Sequence, residues 1–294
     1  MPDPKLCGSS PGRRISARQL GALILTAAGL PIFRLCCRVS WPWVLLGGLA
    51  AAGTLSLLTA AINRHGGFCG ARRRGRVSRP AVFISPFLLI ASLLAASQTT
   101  CSFPETAKNL PAAALVLVLS AAAAIRGPAA AGRCVSILLW ITGALYGTVL
   151  VFSLPEINPA WLAPTGEPAD ALRVWEVLTT PGAALCLSRA LPQGQRLPHW
   201  PWWTAAGLAA AASAVTAGIL SPTLAGDPEA FRTLARGVSV LGVIRRFEAL
   251  VNGAMLMSGV ALCTLYLVVF ADVSGIYGSL EKVQKKFEKS QKKC

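Results

Sequence analysis

Charge is scarce in this chain: only 14% of its 294 residues are Asp, Glu, Lys or Arg, where a soluble domain carries about 25%. With 54% hydrophobic residues, that scarcity excludes an ordinary water-soluble domain. Acidic residues are rarer still, 12 against 28 basic ones, for a net charge of +16. In a soluble protein that imbalance points to nucleic acid. Here the basic residues sit between apolar runs, where they set membrane topology instead, and no nucleic-acid partner is expected. Histidine is limited to His65 and His199, neither of them inside an apolar run beside a nucleophile. Intramembrane proteolysis by serine and histidine needs both at membrane depth, with the serine in a context such as G-x-S-x-G, so that chemistry is excluded. There are no paired intramembrane carboxylates, no metal-ligand cluster and no Gly-rich phosphate loop. The sequence therefore argues against an enzyme and calls for no metal or cofactor. The nine cysteines are dispersed, several within apolar runs where they act as small hydrophobes. Their odd number and spacing do not make a disulfide framework.

What the chain has in plenty is apolar sequence. A membrane crossing takes about 20 apolar residues, and eight candidate spans emerge at 19–36, 41–62, 80–97, 110–125, 135–152, 174–191, 202–220 and 250–271. The expected architecture is an all-α integral membrane protein with about eight transmembrane helices in residues 19–271. A basic cytoplasmic N-terminus (1–18) precedes this domain and a lysine-rich cytoplasmic tail (272–294) follows it. No small-residue cleavage site follows the first run, so it reads as a retained span.

The connections test this arrangement, because short cytoplasmic loops gather Lys and Arg. Arg64, Arg72, Arg73, Arg74, Arg76 and Arg79 follow span two; Arg126 and Arg133 follow span four; Arg189 and Arg196 follow span six. The N-terminal arginines and the C-terminal lysines fall on the same side. The opposite side carries Glu105 with Lys108, then Glu156, Glu167, Asp170, Arg173 and Glu176, then Asp227 and Glu229. Arg34 and Arg38 run against this pattern. Between spans seven and eight, Phe231, Leu234, Val238 and Leu241 recur at helical spacing among Arg232, Arg236, Arg245 and Arg246. This reads as an amphipathic segment at the outer surface, or as an extension of span eight. Lysine occurs at Lys5 and Lys108 and then six times from Lys282 onward. That tail reads as solvated coil or as a basic helix on an anionic membrane surface.

A binding site at membrane depth needs backbone groups freed by an interrupted helix. Span one contains Thr26, Gly29 and Pro31, and span six contains Thr179, Thr180, Pro181 and Gly182. Proline removes a backbone donor and glycine permits an open conformation, so each segment reads as a broken helix or as a proline-kinked one. The candidate ligand-binding residues are Thr26, Gly29, Thr180, Pro181 and Gly182, which would present backbone groups to a small amine or carboxylate. Ser97, Gln98, Thr99, Thr100 and Asn252 read as interhelical hydrogen-bonding residues.

Several stretches together resemble the spore-germination permease family, the B-type subunits of nutrient germinant receptors within the amino acid, polyamine and organocation transporter superfamily. They are Ile15-Ser16-Ala17-Arg18-Gln19-Leu20, Phe103-Pro104-Glu105-Thr106, Ile125-Arg126-Gly127 with Gly132-Arg133, residues 155–164, and Arg246-Phe247-Glu248-Ala249-Leu250. The resemblance implies inverted five-helix repeats with broken first and sixth helices. It also implies a place in the spore inner membrane beside an A-type membrane subunit and a C-type lipoprotein, and binding of a small nutrient such as an amino acid. The chain departs from the family pattern in two respects: the lysine-rich tail stands where the last two of ten spans would be, and Ala183 follows Gly182 where the family has a glutamate. Transport of amino acids or amines, or a structural role without a ligand, are the alternative readings.

Overall fold

The computed structural model describes residues 14–35, 38–64, 79–100, 110–163, 166–192, 194–225, 227, 229–237, 247–274 and 276–277. Among these residues there is no strand. The helices are α1 (Ala17–Leu35), α2 (Trp41–Arg64), α3 (Arg79–Thr100), α4 (Leu110–Ile125), α5 (Pro128–Ser153), α6 (Ala169–Thr179), α7 (Trp200–Ala225), α8 (Ala230–Gly237) and α9 (Phe247–Val273). Short 3-10 turns at Leu154–Glu156 and Pro159–Leu162 follow α5, and a long 3-10 segment, Thr180–Ala190, continues α6.

Local chemistry accounts for the boundaries. α1 begins at a capping box, in which Ser16 N donates to Gln19 Oε1 (3.1 Å) and Gln19 N donates to Ser16 Oγ (3.2 Å), so two amides at the helix start are satisfied reciprocally. α4 turns into α5 at Gly127, whose φ of 94° suits glycine, and Pro128 then opens α5 with its φ already helical.

Each of the eight expected apolar runs falls on helix. Among the described residues, four helices are long and apolar enough to cross a membrane: Trp41–Arg64, Pro128–Glu156, Trp200–Leu220 and Phe247–Val273. Large apolar side chains stand on the outside of the bundle, among them Leu57, Phe87, Val118 and Trp140. Water would not tolerate so much exposed apolar surface, whereas lipid would. The chain is thus a helical membrane protein. α9 forms its centre: buried residues occur all round it, including Val251, Ala254, Ser258, Leu262, Leu265 and Val269, as a helix enclosed by others requires.

The hydrogen bonds sort the helix ends into two sets. At one end, Ile15 N donates to the Ala190 carbonyl (2.9 Å), Ala17 N to Gln195 Oε1 (2.9 Å), Leu197 N to Asn63 Oδ1 (3.0 Å) and Tyr277 Oη to the Ala124 carbonyl (2.6 Å). This gathers the start of α1, the ends of α2, α4 and α9, and the approach to α7. At the other end, Trp41 Nε1 donates to the Leu162 carbonyl (2.9 Å), Asn158 N donates to the Gly218 carbonyl (2.8 Å), and the Phe33 and Phe231 rings meet at 4.5 Å. The first end carries Arg14, Arg18, Arg64, Arg126, Arg133 and Arg196 with Asp272, and is called the arginine end below. The second carries Glu156, Glu167, Asp170, Glu176, Asp227, Glu229 and Glu248, and is called the acidic end.

Three expectations change. α1 runs unbroken through Gly29 and Pro31: proline's fixed φ is itself helical, only one backbone bond is lost, and buried Ala27, Ala28, Leu30 and Ile32 hold the helix on both sides. Span six does change at Pro181, but from α to 3-10 helix, not to open chain. Pro181, Ala184, Leu187 and Ala190 are all buried, a spacing of three that matches a helix with three residues per turn. The segment after span seven is not spread on a surface over its described part. α8 tucks in, with Phe231, Leu234 and even Arg232 buried. Most of the basic N-terminus, the arginine-rich loop at 65–78, Phe103 to Thr106, residues 238–246 and the lysine-rich tail from 278 onward lie outside the described residues.

Candidate functional site

Where α1 ends, α3, α6 and α9 enclose an open cavity of about 770 Å³. That lies within the range of about 300–1,000 Å³ usual for small-molecule sites. Its mouth is at the acidic end and is edged by Arg38, Gln98, Asp170, Arg173 and Glu176. Thr180 and Tyr266 lie deeper, where Tyr266 Oη donates to the Thr180 carbonyl (3.3 Å). The mouth therefore holds both signs of charge. Arg173 Nη1 is 3.3 Å from Asp170 Oδ1, and Arg38 and Glu176 line the same mouth.

Without an N–H, Pro181 cannot donate to the Val177 carbonyl four residues back, so the α-helix gives way there to the 3-10 segment, and Thr180, the first residue of that segment, offers its carbonyl to Tyr266. Thr180 Oγ1 itself donates back to the Val177 carbonyl (2.7 Å). It is thus the threonine's backbone, not its hydroxyl, that turns toward Tyr266.

Of the five residues expected from sequence to bind ligand, the structure brings Thr180 to this cavity. Pro181 lines a separate hollow of about 10 Å³ between α1, α2 and α7, room for about one water molecule at most. Gly182 abuts α2, where a Cβ would come 2.9 Å from Leu55 Cδ2. Thr26 is buried and donates to the Ala22 carbonyl of its own helix (2.9 Å), the usual way a hydroxyl is satisfied at membrane depth. Gly29 serves packing: a Cβ there would sit 2.7 Å from Ser258 Oγ, so the absence of a side chain lets α1 lie against α9. Beside this crossing, Tyr146 hydrogen-bonds Ser258 (3.3 Å) and stacks on Phe33 at 3.8 Å.

Sequence reasoning missed Arg38, Asp170, Arg173, Glu176, Gln98 and Tyr266 as neighbours of Thr180. One signal was present, since Arg38 breaks the alternation of charge between loops, as a residue held for another purpose would.

A second polar cluster closes the acidic end beside α8. Arg232 is buried at 2% exposure; its Nε donates to Asn252 Oδ1 and its Nη1 to Glu229 Oε1, each at 2.7 Å. Arg236 grips Glu248 with two bonds of 2.8 Å. These bonds, and then the charge of Glu248, hold the Arg236 guanidinium protonated even above its usual range. A raised base loses its share of the stability only as pH climbs through that raised value, so raising the pH through the ordinary range does not release the pair. Among the described residues no three His, Cys, Asp or Glu side chains are grouped to hold a metal ion. No known family profile matches the chain, and no curated protein matches it either.

Proposed function

We propose that the chain is a permease-like membrane subunit that binds a small nutrient, an amino acid by its charge pattern, and takes part in triggering spore germination. The observation that supports it is the cavity at the acidic end. Its size suits a small molecule, its mouth offers a guanidinium and carboxylates, and a backbone carbonyl lies at its base beside a tyrosine. A zwitterion presents the complementary pair of charges. The resemblance supplies the germination context, the amino-acid-transporter-like bundle of eight spans, the A-type and C-type subunits as partners and the spore inner membrane as location. Orientation follows the charge rule: the arginine end faces the cytoplasm and the cavity opens outward.

A secondary transporter of the same ligands is the second reading. It is favoured by the change of helix type at Pro181, because such mid-helix 3-10 stretches mark hinges.

The test is thermal unfolding of the purified full chain with a panel of amino acids. A ligand at a hundredfold its Kd raises stability by about 2.7 kcal/mol, and Arg38→Gln should remove that gain while leaving the unliganded Tm in place. No stabilisation by any member of the panel overturns the binding reading and leaves a structural membrane protein. Uptake into vesicles under an ion gradient would move the transporter to first place.

A further inference from the structure

The arginine end has a feature that membrane orientation alone does not require. Two segments far apart in sequence converge on the first turn of α1, each placing an arginine next to its point of contact and beside the arginine of α1 itself. From α5, Gly132 packs so closely that a Cβ there would sit 2.8 Å from Ile15 Cδ1 and 3.1 Å from Gln19 Cβ, with Arg133 adjacent. From the approach to α7, Gln195 accepts the Ala17 amide at 2.9 Å, with Arg196 adjacent. α1 itself contributes Arg18, with Arg14 before it.

These arginines are exposed. Among the described residues no acidic side chain is paired with Arg18, Arg133 or Arg196. The α1 amides here are taken up by Ser16, Gln19 and Gln195, so the guanidinium groups are what the cluster offers a ligand. A second observation fixes the depth. The Trp200 ring lies against Gly21, one turn along α1 from Arg18, where a Cβ would be 3.0 Å from Trp200 Cε2. Trp200 and Trp203 are each nearly half exposed, at 45% and 48%. Half-exposed tryptophans beside apolar helices mark the headgroup level of a bilayer.

We infer that Arg18, Arg133 and Arg196 form a binding site for the phosphodiester headgroup of an anionic phospholipid, its acyl chains lying along the exposed apolar side chains of α5 and α7. Guanidinium forks match phosphate oxygens in geometry as well as charge, and a lipid phosphate at this depth supplies the anion that Arg18, Arg133 and Arg196 do not find among the described residues. The inference requires only that the chain crosses a membrane; it does not depend on the nutrient reading.

The experiment uses the purified full chain in mixed micelles containing phosphatidylglycerol or phosphatidylcholine, with bound lipid counted by native mass spectrometry. Phosphatidylglycerol should be retained and phosphatidylcholine lost. Each arginine near an anionic surface is worth about fivefold in affinity, so R18Q/R133Q/R196Q should weaken retention roughly a hundredfold. Lysine at the same three positions should keep most of it, which separates loss of the site from loss of the fold. Arg236→Gln, at the opposite end, should change nothing. Equal retention of the two lipids, unchanged retention in the triple glutamine variant, or complete displacement by an equal concentration of inorganic phosphate would each overturn the assignment.

Discussion

At the acidic end Arg173, Arg232 and Arg236 each hold a carboxylate of the same chain, at 3.3, 2.7 and 2.8 Å. At the other end Arg18, Arg133 and Arg196 hold none among the described residues. The same side chain therefore does two jobs in one bundle. Where carboxylates are plentiful, arginine ties loops and the short α8 to the long helices, as in the Arg232 contact to Asn252 of α9. Arg18, Arg133 and Arg196, with no carboxylate paired to them among the described residues, are left for the surroundings, which at a membrane surface means phosphate.

The largest test of this contrast is all-or-none. In a chain whose other cysteines are replaced, cysteines at His199 and Glu167 should react with a membrane-impermeant reagent from opposite faces. Labelling of both from one face would erase the distinction between the ends. Next comes the buried pair. Glu229→Ala strips the counter-charge from Arg232, whose side chain is 3% exposed, and should cost about 3 kcal/mol, read as a lowered Tm in detergent. Arg133→Gln in the same assay should cost less than about 0.5 kcal/mol. Similar losses for the two would show that both ends use arginine alike. Tyr266→Phe removes one hydrogen bond to the Thr180 carbonyl and should cost about 1 kcal/mol; a larger fall in ligand-induced stabilisation than in Tm would mark the tyrosine as part of the binding surface. The smallest effect belongs to Arg236→Gln. Arg236 is half exposed, so its pair with Glu248 contributes little, and less in high salt.

The helices were legible in the sequence because apolar runs of membrane length admit few other structures, and the separation of arginine from carboxylate could be read loop by loop. Nonlocal partners could not. Arg232 reads as the solvated face of an amphipathic segment until Asn252, 20 residues onward, provides an acceptor that lets it be buried. Gly29 and Pro31 have the composition of a broken helix, yet the packing of α1 against Ser258 turns the same glycine into a contact point. Pro181 marked a real discontinuity, because a missing amide acts locally whatever surrounds it. The cavity behind it depends on how α3 and α9 approach, and only Thr180 was visible beforehand.

The long 3-10 segment has a mechanical consequence. A 3-10 helix turns about 120° per residue and rises about 2.0 Å, against about 100° and 1.5 Å for an α-helix. Rewinding Thr180–Ala190 into α-helix would shorten it by about 5 Å and swing Ala190 through roughly half a revolution relative to Pro181. One terminus of this screw carries the carbonyl held by Tyr266, and the other carries the carbonyl that receives the Ile15 amide. Length and rotation are thus geared together along the segment, so any rewinding would shift the carbonyl that receives the Ile15 amide in both height and angle.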